Sequence, residues 1–209
     1  GAAVAGAPDA NRVPASRGTA ADAVAPKLDF TVTDELDFTG VGAVGKFKQN
    51  VAAIRLLQAI ESEGRRATTA EQSTLAKFVG WGGLPQAFRN PKTGKITKGW
   101  DARVAELEEL LTPEELAAAG RSTQDAHYTA ANVVSAMWDA VARMGFQGGR
   151  VLEPSMGTGN FFGLMPRELR SASALTGVEL DGITGRIARQ LYQSANVQVR
   201  GFNDLRVAP

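Results

Sequence analysis

The chain has 209 residues, 44% of them apolar, with a formal net charge of +1, a single histidine and no cysteine. This suits a globular protein with one good core and room for a second small one. The composition excludes disulfides, cysteine-held zinc and multi-histidine metal centres, and the near-zero charge gives no global attraction to nucleic acid. No apolar run approaches the roughly 18 residues of a membrane span. The Ala-rich start is interrupted by Pro8, Asp9, Arg12 and Pro14 and lacks a signal-peptide core, so a cytoplasmic setting is expected.

Residues 1–28 are dominated by Ala, Gly and Pro and read as a flexible leader or linker, because they offer too little apolar surface to offset their ordering entropy. Phe30-Thr-Val-Thr33 reads as a short strand. Phe38-Thr-Gly-Val-Gly-Ala-Val-Gly45 reads as a plain Gly-rich loop, with a phosphate-gripping loop as the alternative. Residues 29–122 form a mainly helical region. Ala53, Leu56, Leu57 and Ile60 share one helical face, and Gly64 marks the end of that helix. Thr68 and Glu71 offer a capping box for a helix turning Leu75, Phe78 and Val79 inward. Trp81 is expected as a core anchor beside a Gly turn. A polar loop follows over residues 86–100, with a turn at Pro91–Gly94. Its cations Arg89, Lys92, Lys95 and Lys98, with Trp100, suit either a DNA backbone or plain solvent. Val104, Leu107 and Leu111 mark another helix. Thr112-Pro-Glu-Glu115 starts a short one, and Gly120 is expected to end it.

From residue 123 the pattern changes to alternating helix and strand. Val134, Met137, Trp138 and Val141 share the face of a helix expected to pack on a sheet. Then comes Val151-Leu-Glu-Pro-Ser-Met-Gly-Thr-Gly-Asn160, a strand entering a glycine turn and a new helix. This arrangement lets the backbone approach a nucleotide and offers it free N–H groups. It is not a dinucleotide fingerprint. Gly157 and Gly159 match G-x-G-x-x-G, but Phe162 holds the third glycine position and Gly163 comes one residue late. Nor is it a P-loop, since no Gly-Lys followed by Ser or Thr is present. Glu153 stands where a pyrophosphate would lie and would repel it. A ligand with an amine and a sulfonium, such as S-adenosylmethionine, suits that carboxylate. Ala174–Asp181 contains the next strand. Its Glu179 comes 20 residues after Gly159 and is placed to accept ribose hydroxyls. Asp181 caps a helix with Ile183, Ile187 and Leu191 inward, and Val197 and Val199 lie in a third strand. His127 has no nucleophile partner pattern and reads as structural.

Val151–Phe161 resembles the cofactor motif of DNA adenine-N6 methyltransferases, and His127-Tyr-Thr129 resembles the Phe-Tyr-Thr-Pro segment that precedes it there. The tracts Arg65–Gln72 and Phe78–Leu84 are similar to the N-terminal region of very large phage and plasmid methylase–helicase proteins, including antirestriction proteins of the defence-against-restriction type. The resemblance covers roughly residues 30–209. It implies an α/β fold, a partial Rossmann-like methyltransferase domain over 123–209 preceded by the helical region. It also implies S-adenosylmethionine as cofactor. Tyr128 and Thr129 would cover its methionine end, with Glu153 near its amino group. The motif residues Pro154, Ser155, Gly157, Gly159, Asn160 and Phe161 would lie beneath it. Glu179 would bind the ribose and Leu180 would lie against the adenine, whose edge Asp204 or Phe202 would reach. The implied partners are DNA, engaged through a longer protein, and downstream catalytic and helicase domains of the same polypeptide, with no membrane. One departure matters. The Asn/Asp/Ser-Pro-Pro-Tyr/Phe motif that grips the target base is absent: Asn90-Pro91 is followed by Lys92. The chain is therefore expected to be the cofactor-binding part of such an enzyme, inactive alone, with the catalytic strand lying beyond it. The alternatives are a non-catalytic methyltransferase-like scaffold or DNA-binding module and, third, an RNA or small-molecule methyltransferase.

Overall fold

The computed structural model describes residues 26–33, 41–123 and 129–205. Most of the 1–28 leader, residues 38–40 of the Gly-rich tract, His127 and Tyr128 lie outside the described residues. Five helices come first: α1 (Ala43–Ser62), α2 (Thr69–Leu75), α3 (Asp101–Leu110), α4 (Pro113–Arg121) and α5 (Ala131–Arg143). They are followed by β1 (Gly149–Glu153), α6 (Asn160–Gly163), α7 (Arg167–Ser171), β2 (Ser173–Glu179), α8 (Gly182–Leu191) and β3 (Asn196–Val199). The three strands make a parallel sheet in the order β1-β2-β3, with Glu153 in register with Gly177 and Glu179 with Val199. The fold is thus mixed α/β, with helices preceding and flanking a small parallel sheet.

Local chemistry accounts for the starts of α2, α4 and α8. Thr68 and Thr112 each cap a helix, and Glu71 and Glu115 complete the two capping boxes; Pro113 occupies the first turn of α4. Arg65 also grips Glu71 at 2.7 Å and holds its carboxyl down at about 2. Asp181 accepts the Thr184 N–H at the start of α8.

Several expectations need correction. The described end of the Gly-rich tract is not all loop: α1 begins at Ala43, so Gly45 is helical. α2 ends at Leu75, and buried Phe78 lies in the turn beyond it. α4 continues through Gly120 to Arg121. Phe30–Thr33 makes no strand: Asp29 forms an isolated bridge to Tyr192, and Phe30 and Val32 donate to the Leu191 and Gly163 carbonyls. The helix after the glycine turn has a single turn, α6, before Pro166 breaks the chain and α7 starts. On α5, Val134 and Trp138 are buried, whereas Met137 faces outward, 48% exposed. Trp100 is buried against Phe47, ring centroids 5.8 Å apart, so it has no free face for DNA.

One buried cluster runs from Phe47, Ile54, Leu57 and Ile60 of α1 through Leu75 and Trp81 to Ile183, Ile187, Leu191 and Tyr192. Polar contacts join the same parts. The Gln72 amide donates to the carbonyls of Leu28, Gln190 and Leu191, and Gln193 donates to Ala67 O. These bonds add to the Phe30 and Gln193 backbone donors at the Leu191 and Leu28 carbonyls, so the segment before residue 33, α2 and the end of α8 share one polar network. Trp81 is the core anchor expected, 2% exposed and set edge-on to Phe78 and Phe88. Asn50, fully buried, fixes the turn before it: its amide donates to Gly80 O at 2.6 Å and its oxygen accepts the Val79 N–H at 2.9 Å. Replacing Asn50 with Ala orphans both backbone groups. We expect a loss of about 2–3 kcal/mol in urea unfolding; an unchanged midpoint would show that water takes over both bonds.

Candidate functional site

The parallel register brings the two acids of interest to the same end of neighbouring strands. Glu153 closes β1 and Glu179 closes β2. Ligand sites of open parallel sheets lie in this position, outside the carboxyl ends of the strands. The glycine turn between β1 and α6 is tied to β2 twice. Met156 donates to Val178 O at 2.9 Å, and Gly157 donates to Glu179 Oε2 at 2.8 Å. The other oxygen, Oε1, accepts the Asp181 N–H at 2.8 Å. Glu179 is thus held rigidly by two backbone donors. A carboxylate has about four lone-pair sites, so acceptor capacity remains for a ligand.

Both acids border one cavity of about 830 Å³. Its floor comes from the expected motif residues Ser155, Gly157, Asn160 and Phe161, with Leu180 and Thr129 at its walls. Leu180 is 76% exposed, an apolar surface open to a ligand. Pro154, Gly159, Phe202 and Asp204 are not among the lining residues. Gly159 sits beneath the turn, against Tyr192. Phe202 and Asp204 form a 3-10 turn after β3, with Phe202 half-exposed. Among the basic-loop residues, Arg89 is committed to Glu108 at 2.6 Å, while Lys92, Lys95 and Lys98 are exposed. Asn90 stabilises the loop tip by accepting the N–H groups of Lys92 and Thr93.

The other side of the cavity was missed by sequence reasoning. Gly80, Trp81, Ala118, Arg121 and Ser122 come from the helical region and roof the acids. Met156, Asp181 and Thr184 also line it. Met156 and Asp181 adjoin residues already singled out. The roof has no local signal, because it depends on α4 packing near α8. Arg186 of α8 makes that link, reaching Glu115 of α4 at 2.8 Å and Glu61 of α1 at 3.5 Å.

Burial pushes the Glu153 carboxyl above the usual carboxylate range, and it does the same to Glu179 against the opposing pull of the Asp181 and Gly157 N–H groups. Both acids therefore hold a proton more tightly folded than unfolded. The stability that proton contributes is complete below the unfolded pKa and is lost as pH rises through the raised folded one. When ionised, each acid stands in a partly buried site that a positive charge would stabilise. Among the described residues, no group of acids and histidine has the geometry to hold a metal ion, and no helix is long and apolar enough to cross a membrane.

No family model matches the chain, and no solved structure matches it. Among curated proteins, Defense against restriction protein B of Escherichia phage P1 is 30% identical over 82 residues. That alignment covers 39% of this chain and 4% of the phage protein, so the similarity to an antirestriction protein is partial and spans a small fraction of the relative's length.

Proposed function

We propose that this chain is the cofactor-binding part of an S-adenosylmethionine-dependent DNA adenine-N6 methyltransferase belonging to a mobile-element antirestriction protein, built on a partial Rossmann-like domain. The observation that carries the reading is the pair Glu153 and Glu179, at adjacent strand ends on one cavity below a glycine turn. The residues present fit the cofactor. The cavity is of the size that encloses a nucleoside-sized ligand. Its ionised acids favour a cation and disfavour a phosphate, and exposed Leu180 offers an adenine a flat apolar contact. The partial similarity to a phage protein named for defence against restriction supports the biological setting.

When bound, the cofactor supplies an electrophilic methyl group. The chain's own residues bind and orient. Glu153 holds the ammonium end, with Thr129 beside it and Tyr128 expected there from the sequence. Glu179 accepts the ribose hydroxyls, locked by Gly157 and Asp181. The turn backbone limits water beneath the ligand. Lys92, Lys95 and Lys98 are available for phosphate contacts, in a setting where DNA and downstream domains of a longer polypeptide are the partners. With no Asn-Pro-Pro-Tyr-type motif in the sequence, the chain alone is expected to bind cofactor without transferring methyl groups.

Calorimetric titration with S-adenosylmethionine tests this. Binding is expected at neutral pH and should weaken as pH falls through the raised pKa values of the two acids, because protonation removes the charge that attracts the ligand. Apo stability should change in the opposite sense over the same range, since the protonated acids no longer require hydration. Absence of binding at millimolar cofactor and neutral pH would sink the reading.

A further inference from the structure

The cavity's charged lining is uneven. Glu153, Glu179 and Asp181 lie on the sheet side, and Arg121 is the one cation among its described lining residues. Arg121 ends α4, and it also borders the open groove next to the cavity. Its placement is not left to a loose loop: Glu115, on the same helix, is bound by Arg186 of α8, and α8 starts directly after the strand that carries Glu179. Sheet and roof are therefore tied together, and one exposed cation borders a cavity whose other charged lining is negative.

We propose that Arg121 receives the carboxylate of an α-amino acid ligand, so that the cavity selects a zwitterion: ammonium at Glu153, carboxylate at Arg121. The inference rests on the cofactor reading above, whose ligand carries both groups at its methionine end. A guanidinium presents paired N–H donors that match the two oxygens of a carboxylate, giving a directed, charge-assisted contact. An adenosine or a simple amine would use only the acidic floor. A zwitterion bridges floor and roof, and its binding joins the helical segment to the sheet. The position of Arg121 in the last turn of α4, where a cation also complements the helix dipole, accounts for an arginine there without any ligand; the two roles predict different ligand responses.

The test compares S-adenosylhomocysteine with 5′-methylthioadenosine, which lacks the amino acid end, on the full chain. Arg121→Ala should weaken S-adenosylhomocysteine binding by about 10- to 100-fold, the worth of a hydrogen-bonded charge contact. It should leave 5′-methylthioadenosine binding unchanged, and Arg121→Lys should recover part of the loss. If Arg121→Ala fails to fold, the unmodified chain answers alone: decarboxylated S-adenosylmethionine should bind it more weakly than the intact cofactor by the same factor. Equal binding of both ligands to the unmodified chain and to Arg121→Ala overturns the arginine's role and leaves the cofactor reading standing. An unmodified chain that binds neither adenosyl ligand overturns both.

Discussion

Replacing Gly159 with Ala is expected to destabilise the protein by roughly 3 kcal/mol or more, combining left-handed backbone strain with overpacking. Gly159 adopts φ +94°, and a Cβ built on it lies 2.2 Å from the Tyr192 ring, far inside contact distance. The ring has little room to retreat. Tyr192 is 2% exposed, packs edge-on to Phe162 at 5.7 Å, and follows α8 in a segment that also pairs with Asp29. The same packing explains why Phe162 stands at the third glycine position of a dinucleotide fingerprint: that position faces the core here, fully buried. The comparison variant is Gly182→Ala. This glycine opens α8 with open space at its Cβ and no positive φ, so Ala should be neutral or stabilising by up to about 1 kcal/mol. Thermal or urea unfolding of the two variants checks the pair. Equal midpoints would show that the turn does not stack on Tyr192 as described.

The parts of this architecture that depend on neighbours in sequence were legible in advance. The apolar spacing of α1 and α8, the capping boxes at Thr68 and Thr112 and the Asp181 cap all act within one or two helical turns, so residue order alone specifies them. The acid pair was legible for a similar reason: two strands joined by a short crossover are adjacent and parallel, which places their ends together. The errors lie where tertiary contacts override local preference. The glycine spacing around Gly45 favours a loop, yet α1 extends through it. Met137 has the helical phase of Val134 and Trp138, but Val134, Trp138 and their partners Met165 and Leu169 form a narrow cluster that leaves Met137 outside. The roof was invisible because Trp81 and Arg121 meet the acids only through contacts of long sequence separation, such as Arg186 with Glu115 and Gln72 with Leu191. Trp100 was judged by its polar loop, but its own ring completes the aromatic core around Phe47.

Under the proposed function S-adenosylhomocysteine should raise the Tm of the unmodified chain and replacing Glu179 with Ala should abolish that rise; an undiminished rise would remove Glu179 from the site. Two effects must be separated. The Ala variant also leaves the Gly157 and Asp181 N–H groups without their acceptor, a loss of about 1–3 kcal/mol in the apo protein, reduced where water reaches them. Glu179→Gln separates the two. It keeps nearly the same volume and one acceptor oxygen, enough for the Gly157 or the Asp181 N–H but not for both, while the charge disappears. Burial already works against that charge, as the raised pKa shows. The Gln variant trades one lost backbone contact against removal of a half-buried charge, so it should lose less apo stability at neutral pH than the Ala variant, yet show a smaller ligand-induced shift than the unmodified chain. A smaller ligand shift at a smaller apo cost than Ala identifies the charge as the part that binds the ligand. If Gln instead costs as much apo stability as Ala and leaves the ligand shift intact, Glu179 is a structural brace for the glycine turn. Glu153 offers the internal control: burial raises it as well, but among the described residues no backbone N–H binds its carboxylate, so Glu153→Ala should weaken the ligand without loosening the turn.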